Sequence, residues 1–270
     1  MRQDECAAFL QWALPQLRLR WAGFRKVRHQ VCKRLRRRIL ELRLETLEQY
    51  RSQLEIDPHE WAVLDDLCYI TISRLYRDKR VFDSLGGVIL PELARTASLQ
   101  SRPVWCWCAG CASGEEVYTL KILWDLEVQP KVAPANFEVI GTDTDAMVLR
   151  RAERACFSFG SLKEAPAHWL DVAFERCGQD YCVRPIHRNG ISFKCQDIRA
   201  ELPTGHFDLV LCRNIVFTYF EIELQRAMLD RIGAVLREGG YLVIGAHEQL
   251  LNCSRLFAPV AGCREVFQKA

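Results

Sequence analysis

The stretch VWCWCAGCASGEEVYTLKIL, residues 104–123, couples an apolar run to a turn of small residues and then to a helical pattern. Val104–Cys108 has the length and composition of a buried strand, and Gly114–Leu126 has the apolar spacing of a helix. A strand followed directly by a helix is the first half of a βαβ unit, because parallel strands need a crossover connection. The sequence therefore predicts that an α/β domain starts at this strand.

The same alternation of short apolar runs and helical segments continues toward the C-terminus. Further candidate strands are Phe137–Gly141, Phe207–Cys212 and Tyr241–Gly245, and further candidate helices are Asp145–Ala155 and Glu221–Leu236. We expect Gly239-Gly240 to end the last of these helices, since glycine is common just past a helix terminus. This alternation predicts an α/β fold with a doubly wound, mostly parallel sheet.

The alternation is interrupted between residues 161 and 198, where we expect a small β-hairpin insert at about 175–196. The candidate elements there are a helix, Pro166–Phe174, and a hairpin that pairs Tyr181–Pro185 with Ile191–Lys194 around Asn189-Gly190. Near the C-terminus, Arg255–Phe257 and Glu265–Phe267 are expected to add an antiparallel pair at the edge of the sheet.

The first 95 residues predict a separate, all-α domain. Apolar residues recur there at helical spacing, and Asp57-Pro58 is a typical helix start with Glu60 in the position of a capping box. The polar stretch Thr96–Pro103 predicts a linker. We therefore expect a helical N-terminal domain, residues 1–95, and an α/β domain, residues 96–270.

The composition of the 270 residues, 49% hydrophobic and 26% charged with a formal net charge of +3, is typical of globular domains. The sequence contains no uninterrupted apolar run of about 18 residues, which a membrane-spanning helix requires. Acidic residues precede the first apolar stretch, which is not typical of a secretory signal. We therefore expect a cytoplasmic protein without membrane insertion.

The 13 cysteines are an odd number and are scattered over helical and strand-like segments. Disulfide frameworks are typical of small, loop-rich secreted chains, so we expect most of these cysteines to be buried as small hydrophobic residues in a reducing compartment. Cys106, Cys108 and Cys111 form a C-x-C-x2-C pattern, whereas zinc sites usually pair C-x2-C elements. We predict core packing for these three and no metal site.

In a doubly wound sheet, ligands bind beyond the carboxyl ends of the strands. The first strand ends in a turn that contains Gly110, where a small residue lets the backbone approach a ligand closely. Glu115 and Glu116 follow at the start of the helix, and they favour a cationic group, such as an ammonium or a sulfonium, over a phosphate. The alternative, to which we give equal weight, is that both are first-turn acids that interact favourably with the helix dipole.

Acidic residues also follow the second candidate strand. An acid at this position binds ribose hydroxyls in nucleotide-binding folds, and we assign that role to Asp143, whereas Asp145 is expected to cap the next helix. A cationic subsite beside a ribose acid fits S-adenosylmethionine (SAM) better than a dinucleotide, which carries a pyrophosphate. The third strand ends at Arg213-Asn214 and leads into aromatic residues that we expect to be mostly core, with Tyr219 lining a pocket.

Five ordered motifs resemble a single family. The motifs are Arg77-Asp78, Ala109–Tyr118, Thr142–Asp145, Cys212–Asn214 and Gly245–Glu248. In this order and at this spacing, the chain closely resembles the CheR-type chemoreceptor glutamate methyltransferases over nearly its whole length. The resemblance implies the SAM methyltransferase fold and a protein-glutamate O-methyltransferase that converts SAM to S-adenosylhomocysteine (SAH).

The resemblance also implies the roles of individual residues. Arg77 and Tyr219 would act as catalytic residues at the methyl-transfer end. The cofactor-binding residues would be Thr71, Ser73, Arg77, Gly110, Glu115, Asp143, Asp197, Ile198, Asn214 and Ile215.

Three departures from the family pattern bear on the acceptor. Thr71 and Ser73 replace Asn and Thr, Val117 replaces a proline, and Ile215–Phe220 is one residue longer than usual. Since that last loop lies at the methyl-transfer end, methylation of a small molecule or a thiol is the first alternative, and a non-catalytic SAM-binding regulatory module is the second. His247-Glu248 has two readings, an acid–base pair or a structural element.

The segment from Arg18 to Arg43 contains eleven basic residues and one acid, Glu41. Its aromatic residues are few, Trp21 and Phe24, which does not favour stacking on nucleic acid. The resemblance implies that this segment docks an acidic, helical receptor substrate. The alternative is a solvated helix face whose basic stems pack over apolar neighbours.

Overall fold

The computed structural model describes residues 2–250 and 256–270. The chain divides into two compact units. The first contains the residues up to Thr71 together with Thr218–Arg226, and the second contains Ile72–Phe217 and Ala227–Ala270. The boundary near residue 95 and the two domain ranges stay predictions.

The first unit is helical. The helices that begin within residues 2–71 are α1 (Gln3–Ala13), α2 (Trp21–Phe24), α3 (Arg28–Glu41), α4 (Leu47–Ile56) and α5 (Pro58–Cys68). Asp57 caps α5 as predicted, by accepting a hydrogen bond from the His59 N–H at 3.0 Å. The prediction that Glu60 completes a capping box is wrong, because its carboxylate is buried and binds Arg38 Nη2 at 2.7 Å and the Tyr50 hydroxyl at 2.8 Å.

The second unit is built on a mostly parallel sheet, as predicted. The strands of the described residues are β1 (Val104–Ala109), β2 (Phe137–Asp143), β3 (Cys156–Ser158), β4 (Phe174–Cys177), β5 (Asp180–Val183), β6 (Ile191–Cys195), β7 (Phe207–Leu211), β8 (Leu236–Val243), β9 (Phe257–Val260) and β10 (Cys263–Lys269). Within the described residues, seven strands form one sheet in the order β6-β2-β1-β7-β8-β10-β9. Its first five strands run parallel.

Helices accompany this sheet and bury its central strands. The remaining helices are α6 (Lys79–Ser84), α7 (Leu90–Leu99), α8 (Glu115–Leu123), α9 (Ala146–Arg154), α10 (Phe159–Leu162), α11 (Ala167–Val172), α12 (Val216–Tyr219) and α13 (Ile222–Val235). Every residue of β7 is buried, as expected for a strand with both faces covered. Helix α7 continues through Leu99, so the predicted linker begins later than Thr96.

The pairing of the predicted hairpin is wrong. The strand Asp180–Val183 pairs with Phe174–Cys177 and with β3 in a separate three-stranded sheet. Ile191–Cys195 instead joins β2 in parallel as an edge of the main sheet. Gly190 explains this choice: a Cβ there would lie 2.4 Å from the Phe137 carbonyl oxygen, so only glycine permits the close approach to β2.

The prediction that Gly239-Gly240 ends a helix is also wrong. Helix α13 ends at Val235, and both glycines lie inside strand β8. The pairing of β7 with β8 shifts register between Phe207 and Leu209, and a Cβ on Gly240 would lie 3.0 Å from the Asp208 carbonyl oxygen. Glycine therefore marks an irregular strand here.

The predicted antiparallel pair at the C-terminal edge of the sheet is present. Strand β10 pairs with both β8 and β9. Of the residues predicted for the first strand of the pair, Phe257 lies in β9, whereas Arg255 falls outside the described residues. Among the described residues, no helix is both long and apolar enough to span a membrane.

The expectation for the cysteines holds only in part. Cys68, Cys106, Cys108, Cys111, Cys212 and Cys263 are free and buried. Four others form the disulfides Cys6–Cys32 and Cys156–Cys182. The sequence did not indicate these pairs, because each joins cysteines 26 residues apart that only the tertiary fold brings together.

Candidate active site

The predicted site residues of the second unit follow neighbouring parallel strands at one edge of the main sheet. Strands β6, β2, β1 and β7 are adjacent, so the segments after Cys195, Asp143, Ala109 and Leu211 emerge side by side. Ligands of doubly wound sheets bind at this edge. The sheet order therefore brings these segments together although they are far apart in sequence.

The turn between β1 and α8 has an unusual backbone that brings it close to the end of β7. Gly110, Ala112 and Gly114 have left-handed φ angles of 66°, 48° and 86°. A Cβ on Gly110 would lie 2.9 Å from Ile215 Cδ1. Two predicted cofactor-binding residues, Gly110 and Ile215, are therefore in contact, and glycine is required for that approach.

Glu115 begins α8 and is 5% exposed. Burial raises the pKa of its carboxyl group, and hydrogen bonding to the helix backbone and to the Ser73 side chain opposes the rise. Its Oε2 atom has no hydrogen-bond partner among the described residues. A buried, unpaired carboxylate oxygen calls for a missing partner, and an ammonium group meets that requirement.

Asp143 ends β2 and lies beside the same turn. Its Oδ2 accepts the Ala112 N–H at 2.9 Å, and its Oδ1 accepts the Asp145 N–H at 3.1 Å. Burial raises the pKa of Asp143, and these backbone hydrogen bonds oppose the rise. Asp145 caps α9 as predicted, through the N–H groups of Met147 and Val148. Asp143 is thus fixed in orientation, with lone pairs remaining for further donors.

The ends of β7 and β8 are joined through Glu248. Its Oε2 accepts the N–H of Asn214 at 2.9 Å and the N–H of Gly245 at 2.6 Å. Asn214 itself is left-handed with φ of 58°, and its side chain occupies the space that a Cβ on Gly245 would fill. Of the two hypotheses for His247-Glu248, these hydrogen bonds support a structural role for Glu248.

The backbone after β6 is hydrogen-bonded to the backbone of Asp143. The Gln196 N–H donates to the Asp143 carbonyl oxygen at 2.9 Å. Asp197, the next residue, pairs with Arg199 Nη2 at 2.8 Å, and Ile198 is 6% exposed. The structure therefore brings the Asp197-Ile198 pair to the same edge as Asp143.

The segment before α6 supplies Ser73 and Arg77. Ser73 reaches Glu115, and the Arg77 guanidinium donates to the Ile72 carbonyl oxygen at 2.8 Å. The other two predicted residues, Thr71 and Tyr219, belong to the helical unit. There the Tyr219 ring lies 4.8 Å from that of Phe24. The roles of all these residues stay predictions.

Comparison with known protein families shows to which family the chain belongs. The family model of the CheR methyltransferase SAM-binding domain matches residues 71–266, which is most of the chain. The chain belongs to the CheR methyltransferase family. This membership confirms the predicted family and SAM as the cofactor, and the mostly parallel sheet confirms the predicted fold class.

Several CheR relatives are similar over much of the chain. An uncharacterized 104.1 kDa protein of Rhodobacter capsulatus is 29% identical over 88% of this chain, which covers 25% of that protein. A chemotaxis protein methyltransferase of Listeria monocytogenes is 30% identical over 69% of this chain and 68% of its own length. A probable chemotaxis protein methyltransferase of Rhizobium etli is 28% identical over 82% of this chain and 84% of its own length. The chain thus spans from a quarter to most of the length of these relatives.

Solved methyltransferase structures are more distant. The glycopeptide N-methyltransferase MtfA with bound SAM is 14% identical, with a TM-score of 0.33, over 57% of this chain and 48% of that chain. The magnesium protoporphyrin IX methyltransferase of Synechocystis with bound SAH is 16% identical, with a TM-score of 0.34, over 61% of this chain and 53% of that chain.

The crevice at this edge of the sheet is formed by the Gly110 turn, Glu115 and Asp143. Its carboxylates offer hydrogen-bond acceptors that fit SAM. The unpaired oxygen of Glu115 suits the ammonium of the methionine moiety, and Asp143 is held where a ribose acid is expected. At Gly110, which carries no side chain, the turn brings the backbone close to Ile215. The two buried acids, Glu115 and Asp143, therefore fit a nucleoside with a cationic tail.

The cysteines of β1 and its turn are part of the core. Cys106, Cys108 and Cys111 are at most 2% exposed and belong to the main hydrophobic cluster, as predicted. Burial raises the pKa of each thiol well above its usual value. Among the described residues, no group of three or more His, Cys, Asp and Glu side chains is arranged to hold a metal ion.

Sequence reasoning missed a buried ionic cluster beside the crevice. Arg213 Nη2 pairs with Asp78 Oδ2 at 2.6 Å, and its Nη1 pairs with Glu116 Oε2 at 2.7 Å. These partners are 135 and 97 residues away in sequence. All three residues lie in motifs that the sequence analysis singled out, but no sequence signal indicated that they pair with one another.

Proposed function

We propose that this chain is a protein-glutamate O-methyltransferase that acts on a chemotaxis receptor. The observation that carries the proposal is the match of residues 71–266 to the CheR SAM-binding domain, together with relatives named chemotaxis protein methyltransferases. The crevice supports it, since Glu115 offers an unpaired buried oxygen for the cationic donor.

The chemistry of such a reaction places few demands on the protein. SAM supplies an electrophilic methyl group on a sulfonium. The usual pKa of a glutamate acceptor lies well below neutral pH, so the carboxyl group is ionised there and no general base is needed. The protein contributes alignment, which in favourable systems is worth about 7–11 kcal/mol.

Individual residues would provide that alignment. Glu115 would bind the ammonium of the cofactor, and Asp143 would accept hydrogen bonds from the ribose hydroxyls. Arg77 would bind a carboxylate, either that of the cofactor or that of the acceptor. Asn214 and Tyr219 would shape the methyl-transfer end, where the acceptor carboxylate must lose water and face the methyl group in line.

The basic segment from Arg18 to Arg43 would dock the receptor. Several of its cations are occupied within the helical unit: Arg38 pairs with Glu60, Arg18 pairs with Glu221, and Arg34 donates to the Leu67 carbonyl oxygen at 3.2 Å. We therefore assign docking to the exposed cations of the segment. A cavity of about 440 Å³ in this unit has no acidic residue in its lining and is lined by the cations Arg2, Arg28, Lys33 and Arg36, with Gln3, Cys6, His29 and Cys32.

A charge reversal tests the docking surface. Lys33 is exposed, and we expect Lys33→Glu to raise the KM for an acidic receptor fragment roughly threefold or more without changing SAH affinity. Lys163→Glu is the matched control, because Lys163 is exposed, lies in the second unit and changes charge by the same amount. Equal KM values for the two variants would remove the basic segment from the proposal.

The acceptor is tested by labelling. Cell extract incubated with the purified chain and methyl-tritiated SAM should yield a base-labile methyl ester on protein. Label confined to small metabolites or to thiols would favour the alternative that the longer Ile215–Phe220 loop suggests. SAH binding without any transfer would favour the regulatory module.

We place the reaction in the cytoplasm as part of the same proposal. The eight free cysteines of the described residues favour a reducing compartment, in which disulfides are uncommon. In that compartment we expect the disulfides Cys6–Cys32 and Cys156–Cys182 to be reduced, so alkylation of intact cells followed by mass spectrometry should find these four residues as thiols.

A further inference from the structure

Arg213 lies at the centre of a buried ionic cluster that touches three loops of the crevice. Its side chain is 3% exposed and lies with its guanidinium carbon 5.2 Å from the centre of the Phe82 ring. Its Nη1 atom binds Glu116, and its Nη2 atom binds both the Asp78 carboxylate and the Arg77 carbonyl oxygen, the latter at 2.9 Å. One guanidinium therefore links the segment before α6, the first turn of α8 and the end of β7.

Each partner in this cluster is the neighbour of a predicted site residue. Asp78 follows Arg77, Glu116 follows Glu115, and Arg213 precedes Asn214. Each partner is therefore joined by one peptide bond to a residue that is predicted to bind the cofactor, so a shift of the partner also shifts that residue. The Arg213 side chain is 3% exposed, whereas those of Asp78 and Glu116 are 29% and 14% exposed.

The three linked segments have a backbone that requires external support. Tyr76, Asp78, Ala112 and Asn214 are non-glycine residues with left-handed φ angles of 58°, 64°, 48° and 58°. Such conformations are costly for residues with a side chain and persist only where the surroundings determine them. Arg213 binds Asp78 directly, precedes Asn214 in the chain, and reaches the third segment through Glu116, four residues after Ala112.

The energetics of the cluster also favour positioning over stability. Buried ion pairs are often no more stabilising than apolar residues of the same shape, because desolvation offsets the attraction. Burial raises the pKa of Glu116 despite the nearby Arg213, and Arg213 Nε has no partner among the described residues. An arrangement that leaves a buried donor unpaired is a costly way to hold a core together.

We propose that Arg213, paired with Asp78 and Glu116, is a positioning residue that holds the Arg77, Glu115 and Asn214 segments in the geometry that binds SAM. The inference deepens the cofactor-binding part of the proposed function. It is independent of the identity of the acceptor, since SAH binding needs no acceptor.

A matched buried ion pair at the opposite end of the same strand provides the control. Asp208, near the start of β7, is bound by Arg102 through two contacts of 2.7 Å and is 2% exposed. Arg102→Lys and Arg213→Lys therefore make the same chemical change in two buried Arg–carboxylate pairs of the second unit. Only the second pair adjoins the crevice.

Titration calorimetry with SAH tests the proposal on the full-length chain. We expect Arg213→Lys to weaken SAH binding roughly tenfold or more, whereas Arg102→Lys changes it by about twofold or less, with both variants folded by circular dichroism. With an acceptor that the parent methylates, Arg213→Lys should raise the KM for SAM more than it lowers kcat at saturating SAM. A merely structural role would leave that KM unchanged.

Two outcomes would overturn the proposal: an SAH affinity of Arg213→Lys less than tenfold below the parent, or equal losses in the two lysine variants. If Arg213→Lys does not fold, Glu116→Gln and Asp78→Asn take its place, since each removes a charge and keeps the shape. A parent chain that binds SAH but methylates no receptor would contradict the proposed acceptor. The comparison of SAH affinities between the variants would still test the role of Arg213.

Discussion

Glu248 Oε2 accepts the backbone N–H of Asn214 at 2.9 Å, across 34 residues of sequence. The same oxygen binds the Gly245 N–H, so one carboxylate fixes the ends of β7 and β8. Asn214 carries a left-handed backbone at this point. The carboxylate therefore holds the loop in which two predicted cofactor-binding residues, Asn214 and Ile215, are found.

Replacement of this carboxylate should destabilise the fold and loosen the crevice. We expect Glu248→Ala to lower the free energy of unfolding by about 1.5–3 kcal/mol, the usual loss for charge-assisted hydrogen bonds, and to weaken SAH binding. Glu238→Ala is the control, because the Glu238 side chain is 75% exposed, and should change stability by about 0.5 kcal/mol or less. Urea denaturation and calorimetry measure both quantities, and equal behaviour of the two variants would contradict the role of Glu248.

Asp143 and Asp145 allow a comparison between a predicted ligand-binding acid and a helix cap. Asp143→Ala should weaken SAH binding by about 1–3 kcal/mol, through the loss of charge-assisted hydrogen bonds to the ribose. Asp145→Ala should lower stability by about 1 kcal/mol through loss of the cap of α9, with SAH affinity nearly unchanged. The assignment of Asp143 does not survive if its variant binds SAH as tightly as the parent.

The raised pKa of Glu115 predicts a pH dependence. Burial raises this pKa above its usual value of 4.5, so the folded state holds the proton more tightly than the unfolded chain does. The resulting contribution to stability is fully present below about 4.5 and is lost as the pH rises through the raised pKa. An ammonium ligand favours the ionised form, so SAH affinity should increase over the same pH range.

Glu115→Gln isolates this effect from the other carboxyl groups with raised pKa values. Burial also raises the pKa of Glu116 and of Asp143, and both remain in the variant. Calorimetry in buffers of different ionisation enthalpy should find that SAH binding releases fewer protons from Glu115→Gln than from the parent. Identical proton release would show that Glu115 does not face the ammonium.

Gly110 and Gly178 form a matched pair for the turn after β1. Both have φ of 66°, but a Cβ on Gly110 would lie 2.9 Å from Ile215 Cδ1, whereas a Cβ on Gly178 would have no heavy atom within 4 Å. Each change to alanine should cost about 1–2 kcal/mol of backbone strain. Only Gly110→Ala should weaken SAH binding, because the Ile215 methyl group must move to make room for the new Cβ. Equal SAH affinities of the two variants would contradict the idea that displacement of Ile215 affects SAH binding.

Much of the fold was predictable from local patterns. The strands Val104–Cys108 and Phe207–Cys212 were predicted to within a residue, and Asp145 was predicted to cap its helix. These features depend on residues close in sequence. The strands follow from short apolar runs, and the cap follows from a side-chain oxygen next to the first turn of the helix. The predicted pairing of Tyr181–Pro185 with Ile191–Lys194 was wrong, because a turn signal at Asn189-Gly190 does not specify which strand is the partner.

The candidate site shows the same division. The order and spacing of the motifs in the sequence determined the family and the cofactor, because each motif is a short segment of residues close in sequence. Only the tertiary structure decided that Glu60 binds Arg38, that Ile191–Cys195 joins β2, and that Arg213 links Asp78 with Glu116. These contacts join residues distant in sequence, and the sheet order and the burial of charge, which no local pattern encodes, select them.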